Sequence, residues 1–143
     1  MIAGALAVLL LAAAGFALVA VRRRRMIVTV EGDSMRPTYA DGDRLLVRTG
    51  PACRSGDVVV FANPHGPDPG PALLVKRVAA VAGEAVPVAF RERIPEEHVP
   101  ADRIVVLGDA AKSLDSRKFG PVPSDTVVGI VLRQLDSRRT TEN

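Results

Sequence analysis

The chain has 143 residues, 48% of them hydrophobic and 24% charged, which excludes wholesale disorder and leaves room for one domain. Aromatic residues are only 3% with no Trp, against base-stacking platforms, and one Cys with two His excludes an intramolecular disulfide and a Cys- or His-rich metal cluster. The net charge of +3 is local: outside the run Arg22-Arg23-Arg24-Arg25, 15 Lys and Arg face 16 Asp and Glu, so no nucleic-acid face is implied.

From Ile2 to Val21 no residue is charged or strongly polar. Twenty residues at about 1.5 Å rise make roughly 30 Å of helix, the thickness of a bilayer's hydrocarbon core. A cleaved signal peptide would have a basic start and a polar approach to its cleavage site. Here no Lys or Arg precedes the run, and it ends in four arginines, so a retained single-pass anchor is expected. The positive-inside rule places Arg22 to Arg25 on the cytoplasmic side, whereas an arginine collar reaching anionic headgroups accounts for them on either side.

After the anchor, short β-type runs alternate with turn signals. Strands are expected at Ile27 to Val30, at Leu45 to Arg48 after Asp41-Gly42-Asp43, at Asp57 to Phe61 after Ser55-Gly56, and at Leu73 to Val81. Weaker candidates are Ala85 to Ala89, Ile104 to Leu107 and Val128 to Leu132. Four prolines and two glycines make Asn63 to Pro71 a loop. No helical period of useful length follows residue 25, and there is no repeat, phosphate loop or H-E-x-x-H motif. The expected architecture is mainly β: residues 1–25 an anchor with its arginine collar, 26–136 a small β domain, and 137–143 a flexible tail.

Three segments carry chemistry. In Glu31-Gly32-Asp33-Ser34-Met35-Arg36-Pro37-Thr38 a serine sits in a turn after a strand, a position where most serines are structural. In Leu73 to Val81, period-two alternation puts Lys76 on one face with Leu74, Val78 and Ala80. A lysine buried there would lose its charge readily and could act as a base, while an edge lysine that snorkels or pairs with a carboxylate fits the same pattern. In Gly108 to Gly120, Asp115 and Arg117 are close enough to pair and pin a polar loop that carries Ser113.

Together these segments resemble the type I signal peptidases, membrane-anchored serine endopeptidases with a Ser/Lys dyad. Gly32-Asp33-Ser34-Met35-Arg36-Pro37-Thr38 looks like the nucleophile motif, Gly56-Asp57-Val58-Val59-Val60-Phe61 like the next strand, and Lys76-Arg77-Val78 with Gly83-Glu84 like the general-base strand. Gly108-Asp109, Ser113, Asp115-Ser116-Arg117 and Phe119-Gly120 match the last motif, in the family's order. The resemblance implies a mostly β fold in which Ser34 is the nucleophile and Lys76 the general base. It further implies that Ser113 hydrogen-bonds Lys76, that Asp115 and Arg117 hold the loop, and that the Ser34 backbone N–H binds the oxyanion. No metal or cofactor is implied, and the expected partners are precursor or signal-peptide substrates and the lipid bilayer. A plasma-membrane location with the domain outside the cytoplasm goes with that reading.

Some positions depart from the family pattern. Gly32 stands where some relatives carry a hydroxyl residue, Ala110 and Ala111 replace polar residues, and Tyr39 replaces a leucine. The short stretch from Lys76 to Gly108 leaves no room for a larger accessory domain. Preference for small residues before the cut is expected, because Ala, Val, Leu and Ile dominate the strands that would wall the pockets. A maturation protease dedicated to one or a few precursors is the alternative within the same chemistry; an inactive membrane-tethered β scaffold is the alternative outside it.

Overall fold

The computed structural model describes residues 2–68 and 70–136. Helix α1, Ile2–Arg23, carries its only charges, Arg22 and Arg23, in the last turn, where they complement the negative end of the helix dipole. It is long and apolar enough to cross a membrane, and its apolar window is wholly exposed among the described residues. One residue later the sheet begins. Strands β1 (Arg25–Thr29), β2 (Arg44–Thr49), β3 (Val58–Ala62), β4 (Leu73–Val81), β5 (Arg103–Leu107), β6 (Val122–Pro123) and β7 (Val127–Asp136) form one sheet in the order β1-β2-β7-β3-β4-β5-β6. Every neighbouring pair is antiparallel.

The sheet curls instead of lying flat. Register shifts interrupt β2–β7, β3–β7 and β4–β5, and such bulges bend a strand and raise its twist. At the β2–β7 crossing a Cβ on Gly129 would lie 2.3 Å from the Arg48 carbonyl oxygen, so only glycine lets the two backbones meet. Curling gives β3 two buried faces, one with Val59 and Phe61 against Val78, Ile104 and Val106, the other with Val60 against Leu45 and Val47. A third cluster forms where residues 84–99 fold over β4 and β5 and bury Val86, Phe90, Ile94 and Val99 against Ala80 and Val105.

Two expectations are corrected. Ala85 to Ala89 is not a strand: Ala85 makes a single bridge to His98, and Pro87, without an N–H to give a ladder, leads into a 3-10 turn over Val88–Phe90. Phe90 is 2% exposed, so that turn drops an aromatic ring into the core. A short helix, α2 (Ser116–Phe119), also forms in the last polar loop, capped by the Asp115 side chain and ended by Gly120 at φ 77°. Four residues are too few to leave a helical period in sequence. The tail expected over 137–143 lies outside the described residues.

Candidate active site

The β1–β2 ladder continues past Thr29: Val30 N–H donates to Asp43 O and Gly42 N–H to Val30 O, each at 2.8 Å. The Ser34 turn therefore grows from the end of a paired hairpin and not from a free loop. Gly32 takes φ 82°, a conformation that penalises a Cβ, and its N–H donates to Asp41 Oδ1 at 2.7 Å. Met35, 1% exposed, anchors the turn in the interior, and the Arg36–Pro37 peptide bond is cis. Ser34 O accepts the Ala110 N–H at 2.9 Å, which ties the turn to the loop after β5. Among the described residues no acceptor takes the Ser34 N–H.

Lys76 sits in the middle of β4, opposite Val59, on the face it shares with Val78 and Ala80. It is 3% exposed. Its Nζ donates to Ser34 Oγ at 2.6 Å and to the Val75 carbonyl at 3.2 Å. Burial pulls the Lys76 pKa below the ordinary lysine value, and the negative Asp115 opposes that pull without cancelling it.

The loop from Gly108 to Asp115 closes the other side. Asp115 is wholly buried and accepts from Gly108 N–H at 2.9 Å, from Arg117 N–H at 3.1 Å, and from Arg117 Nε and Nη2 at 3.0 and 2.8 Å. Burial pushes its carboxyl up, but the hydrogen bonds from Arg117 and Gly108 outweigh it and hold the pKa below the usual range. Ser113 is buried, and its Oγ has no hydrogen-bond partner among the described residues. The Ser113–Lys76 hydrogen bond implied by the family resemblance is therefore not formed in this structure. The Ser113 side chain instead packs on Gly108, where an added Cβ would lie 2.0 Å from Ser113 Oγ and 2.7 Å from Ser34 O.

A second ion pair lies beside the site. Arg77, the neighbour of Lys76, grips Asp109 with Nε at 2.9 Å and Nη2 at 2.6 Å, and Thr38 Oγ1 donates to the same carboxylate at 2.6 Å. Three segments distant in sequence meet at that carboxylate: the Ser34 turn, β4 and the loop after β5. In sequence Arg77 and Asp109 are motif letters without a role, because their pairing depends on the β4–β5 register, which puts Arg77 opposite Leu107. A groove of about 470 Å³ opens in front of Ser34 and Lys76, walled by Val28, Val30, Leu73, Val75 and Leu114. Leu114, 42% exposed, is a wall residue the sequence reading did not single out, since an apolar residue in a polar loop has no periodic signal.

A family model described as signal peptidase, peptidase S26, matches residues 3–94 and 87–134 of this chain. The chain belongs to that family. It is 32% identical over 115 residues to the mitochondrial inner membrane protease subunit 2 of Schizosaccharomyces pombe, a match covering 75% of this chain and 62% of that protein. It is 33% identical over 111 residues to the mitochondrial ATP-independent inner membrane protease subunit 1b of Arabidopsis thaliana, covering 71% of this chain and 64% of that protein. With a probable signal peptidase I-1 of Synechocystis it shares 30% identity over 132 residues, or 72% of this chain and 67% of the relative. The chain thus spans slightly under two thirds of the length of the first two relatives. Membership of this peptidase family agrees with the mainly β sheet and the apolar N-terminal helix.

Proposed function

We propose that this chain is a membrane-bound serine endopeptidase that removes signal peptides or propeptides from precursor proteins, cutting after small residues with a Ser34/Lys76 dyad. The observation that carries the proposal is the 2.6 Å contact between Lys76 Nζ and Ser34 Oγ at a lysine with 3% exposure. When burial has stripped Lys76 of its proton, the same contact reverses and Ser34 O–H donates to the amine. Ser34 Oγ then attacks the scissile carbonyl as its proton passes to Nζ. The developing oxyanion is met by the Ser34 N–H, which has no acceptor among the described residues. Lys76 returns the proton to the leaving amine, and an ester on Ser34 remains. Water attacks the ester with Lys76 again taking a proton, the Ser34 hydroxyl re-forms, and the carboxylate product leaves.

Asp115 and Arg117 act as positioning residues that hold the 108–115 loop. That loop carries the buried Ser113 hydroxyl, without a hydrogen-bond partner among the described residues, as the group proposed to orient Lys76 during the reaction. The branched side chains along the groove suit an extended substrate with small residues at the first and third positions before the cut. The domain division proposed here is an anchor over 1–25 and a peptidase over 26–136, with the peptidase on the extracytoplasmic side of the plasma membrane. Incubating the purified full chain with a peptide that spans an Ala-X-Ala signal-peptide junction tests the activity. Cleavage after the second Ala that disappears in Ser34→Ala supports the proposal. Equal cleavage by Ser34→Ala, or none by the unmodified chain in bilayers or detergent, overturns it.

A further inference from the structure

The end of the sheet next to α1 carries an arginine cluster whose cleft shares no lining residue with the groove in front of Ser34. Between the last residue of α1, Arg23, and the first of β1, Arg25, there is only Arg24, whose carbonyl accepts the Thr49 N–H at 2.8 Å. The end of the helix is therefore fastened to the end of β2. The register then sets Arg25 directly opposite Arg48, and both side chains are exposed. Like charges facing each other across two strands destabilise the pair, yet among the described residues no carboxylate bridges Arg24, Arg25 or Arg48. The carboxylate of Asp57, in the neighbouring cleft beside Arg48, already accepts from the Arg54 N–H. Arg24 and Arg48 instead line a cleft of about 360 Å³ whose floor is the turn from Thr49 to Ala52.

Covalent reach fixes the depth of this cleft. Two residues extend at most about 7 Å, and the polar headgroup layer of a bilayer is roughly 5–8 Å thick on each side. With the apolar run from Ile2 to Val21 spanning the bilayer, Arg22 and Arg23 add about 3 Å of helix. Arg25 and its cross-strand neighbour Arg48 then lie at the outer edge of that layer, where their long side chains reach back to the headgroup phosphates. We propose that Arg24, Arg25 and Arg48 form a site for the phosphate of an anionic phospholipid headgroup. The guanidinium forks bind the phosphate oxygens, and the phosphate neutralises the facing arginines. Because Arg48 belongs to the sheet and not to the helix, a bound lipid sets the tilt of the whole domain over the bilayer. This inference rests on membrane attachment and not on the dyad, so a catalytically dead Ser34→Ala background serves equally well for its test.

The chain has no Trp, so a single Ile27→Trp substitution, at a residue 50% exposed and two positions from Arg25, reports lipid contact without background. The full chain is placed in phosphatidylcholine nanodiscs with a rising fraction of brominated phosphatidylglycerol, and fluorescence quenching is followed. Half-quenching is expected at a lower fraction than with brominated phosphatidylcholine, with Arg48→Glu raising that midpoint by roughly fivefold and Arg48→Lys, which keeps the charge but loses the fork, raising it less. Val88→Trp, 80% exposed beside β4 and β5, should stay unquenched. Equal midpoints for the two brominated lipids, or a midpoint unmoved by Arg48→Glu and Arg25→Glu, would overturn the site, as would quenching of Ile27→Trp no greater than that of Val88→Trp.

Discussion

Lys76 spends its existence in the folded chain with 3% of its surface exposed and a serine hydroxyl as a partner, an arrangement that opposes its charge. Its pKa is lowered from 10.5 by burial, so between the folded and unfolded values the unfolded chain binds more protons and stability rises with pH. Below that window the charged amine is a full penalty. Lys76→Met should therefore raise stability near neutral pH by roughly 1–2 kcal/mol, read as a higher denaturation midpoint, while abolishing cleavage. Under the proposed mechanism Ser34→Ala and Lys76→Ala each lower kcat by about 10³-fold or more. Lys76→Arg should be equally inactive, because a guanidinium does not deprotonate. The kcat profile should rise with pH as the neutral amine accumulates, with its midpoint below 10.5. A profile flat from acid to alkaline pH would remove Lys76 as the base.

The loop from Gly108 through α2 is held by hydrogen bonds to one buried carboxylate, and the Ser34 turn leans on it. Asp115 has a folded pKa below 3.8, so its stabilisation is present above that value and is lost as pH falls through the folded one. Asp115→Asn should cost about 2–3 kcal/mol at neutral pH, since Arg117 is one-third exposed and keeps part of its hydration. The measurement is denaturant unfolding, with the gap between the two proteins closing in acid. Gly108→Ala is a steric test of the same element, as the new methyl meets both Ser113 and the Ser34 carbonyl. We expect a loss of about 1–3 kcal/mol and a fall in kcat of about 10²-fold, because relief of the clash moves Ser34 relative to Lys76. Unchanged kinetics in a folded Gly108→Ala protein would show that the loop does not position the serine.

At the scale of the molecule, an apolar helix passes without a linker into a curled sheet, so under the proposed function the side of the membrane on which the sheet lies decides which precursors reach it. Arg22 to Arg25 favour the cytoplasm by the positive-inside rule, and carrying four arginines across costs about 2.5–3.5 kcal/mol each on insertion scales. Against this, a collar fastened to the sheet and seated among anionic headgroups recovers part of that cost. Alkaline phosphatase fused after Asn143 should be active if the domain faces outward as proposed. A silent phosphatase fusion beside a bright cytoplasmic fluorescent fusion would reverse the topology and with it the class of substrate.

The apolar helix, the main strands and the motif positions were legible in the sequence because each rests on local pattern: an unbroken apolar run, period-two alternation and short spacings around Ser34, Lys76 and Asp115. Alternation put Lys76 on the face of Val78 and Ala80 but left a buried and a snorkelling lysine equally compatible, and only the folded sheet buries it. The failures were equally physical. Ala85 to Ala89 has strand-like residues, but Pro87 denies a ladder donor and the core draws Phe90 inward, a tertiary demand no local pattern records. The joining of Arg77 to Asp109 and Thr38, the crowding of Gly108 by Ser113 and the Ser34 carbonyl, and the facing of Arg25 and Arg48 all depend on strand register and sheet curl. Sequence determined where the family's motifs lie along the chain and that an apolar helix precedes them. Tertiary structure alone decided which of them touch, because contact between residues 42 positions apart, as in Ser34 and Lys76, is set by how four antiparallel strand pairings and their bulges bring one turn over one strand.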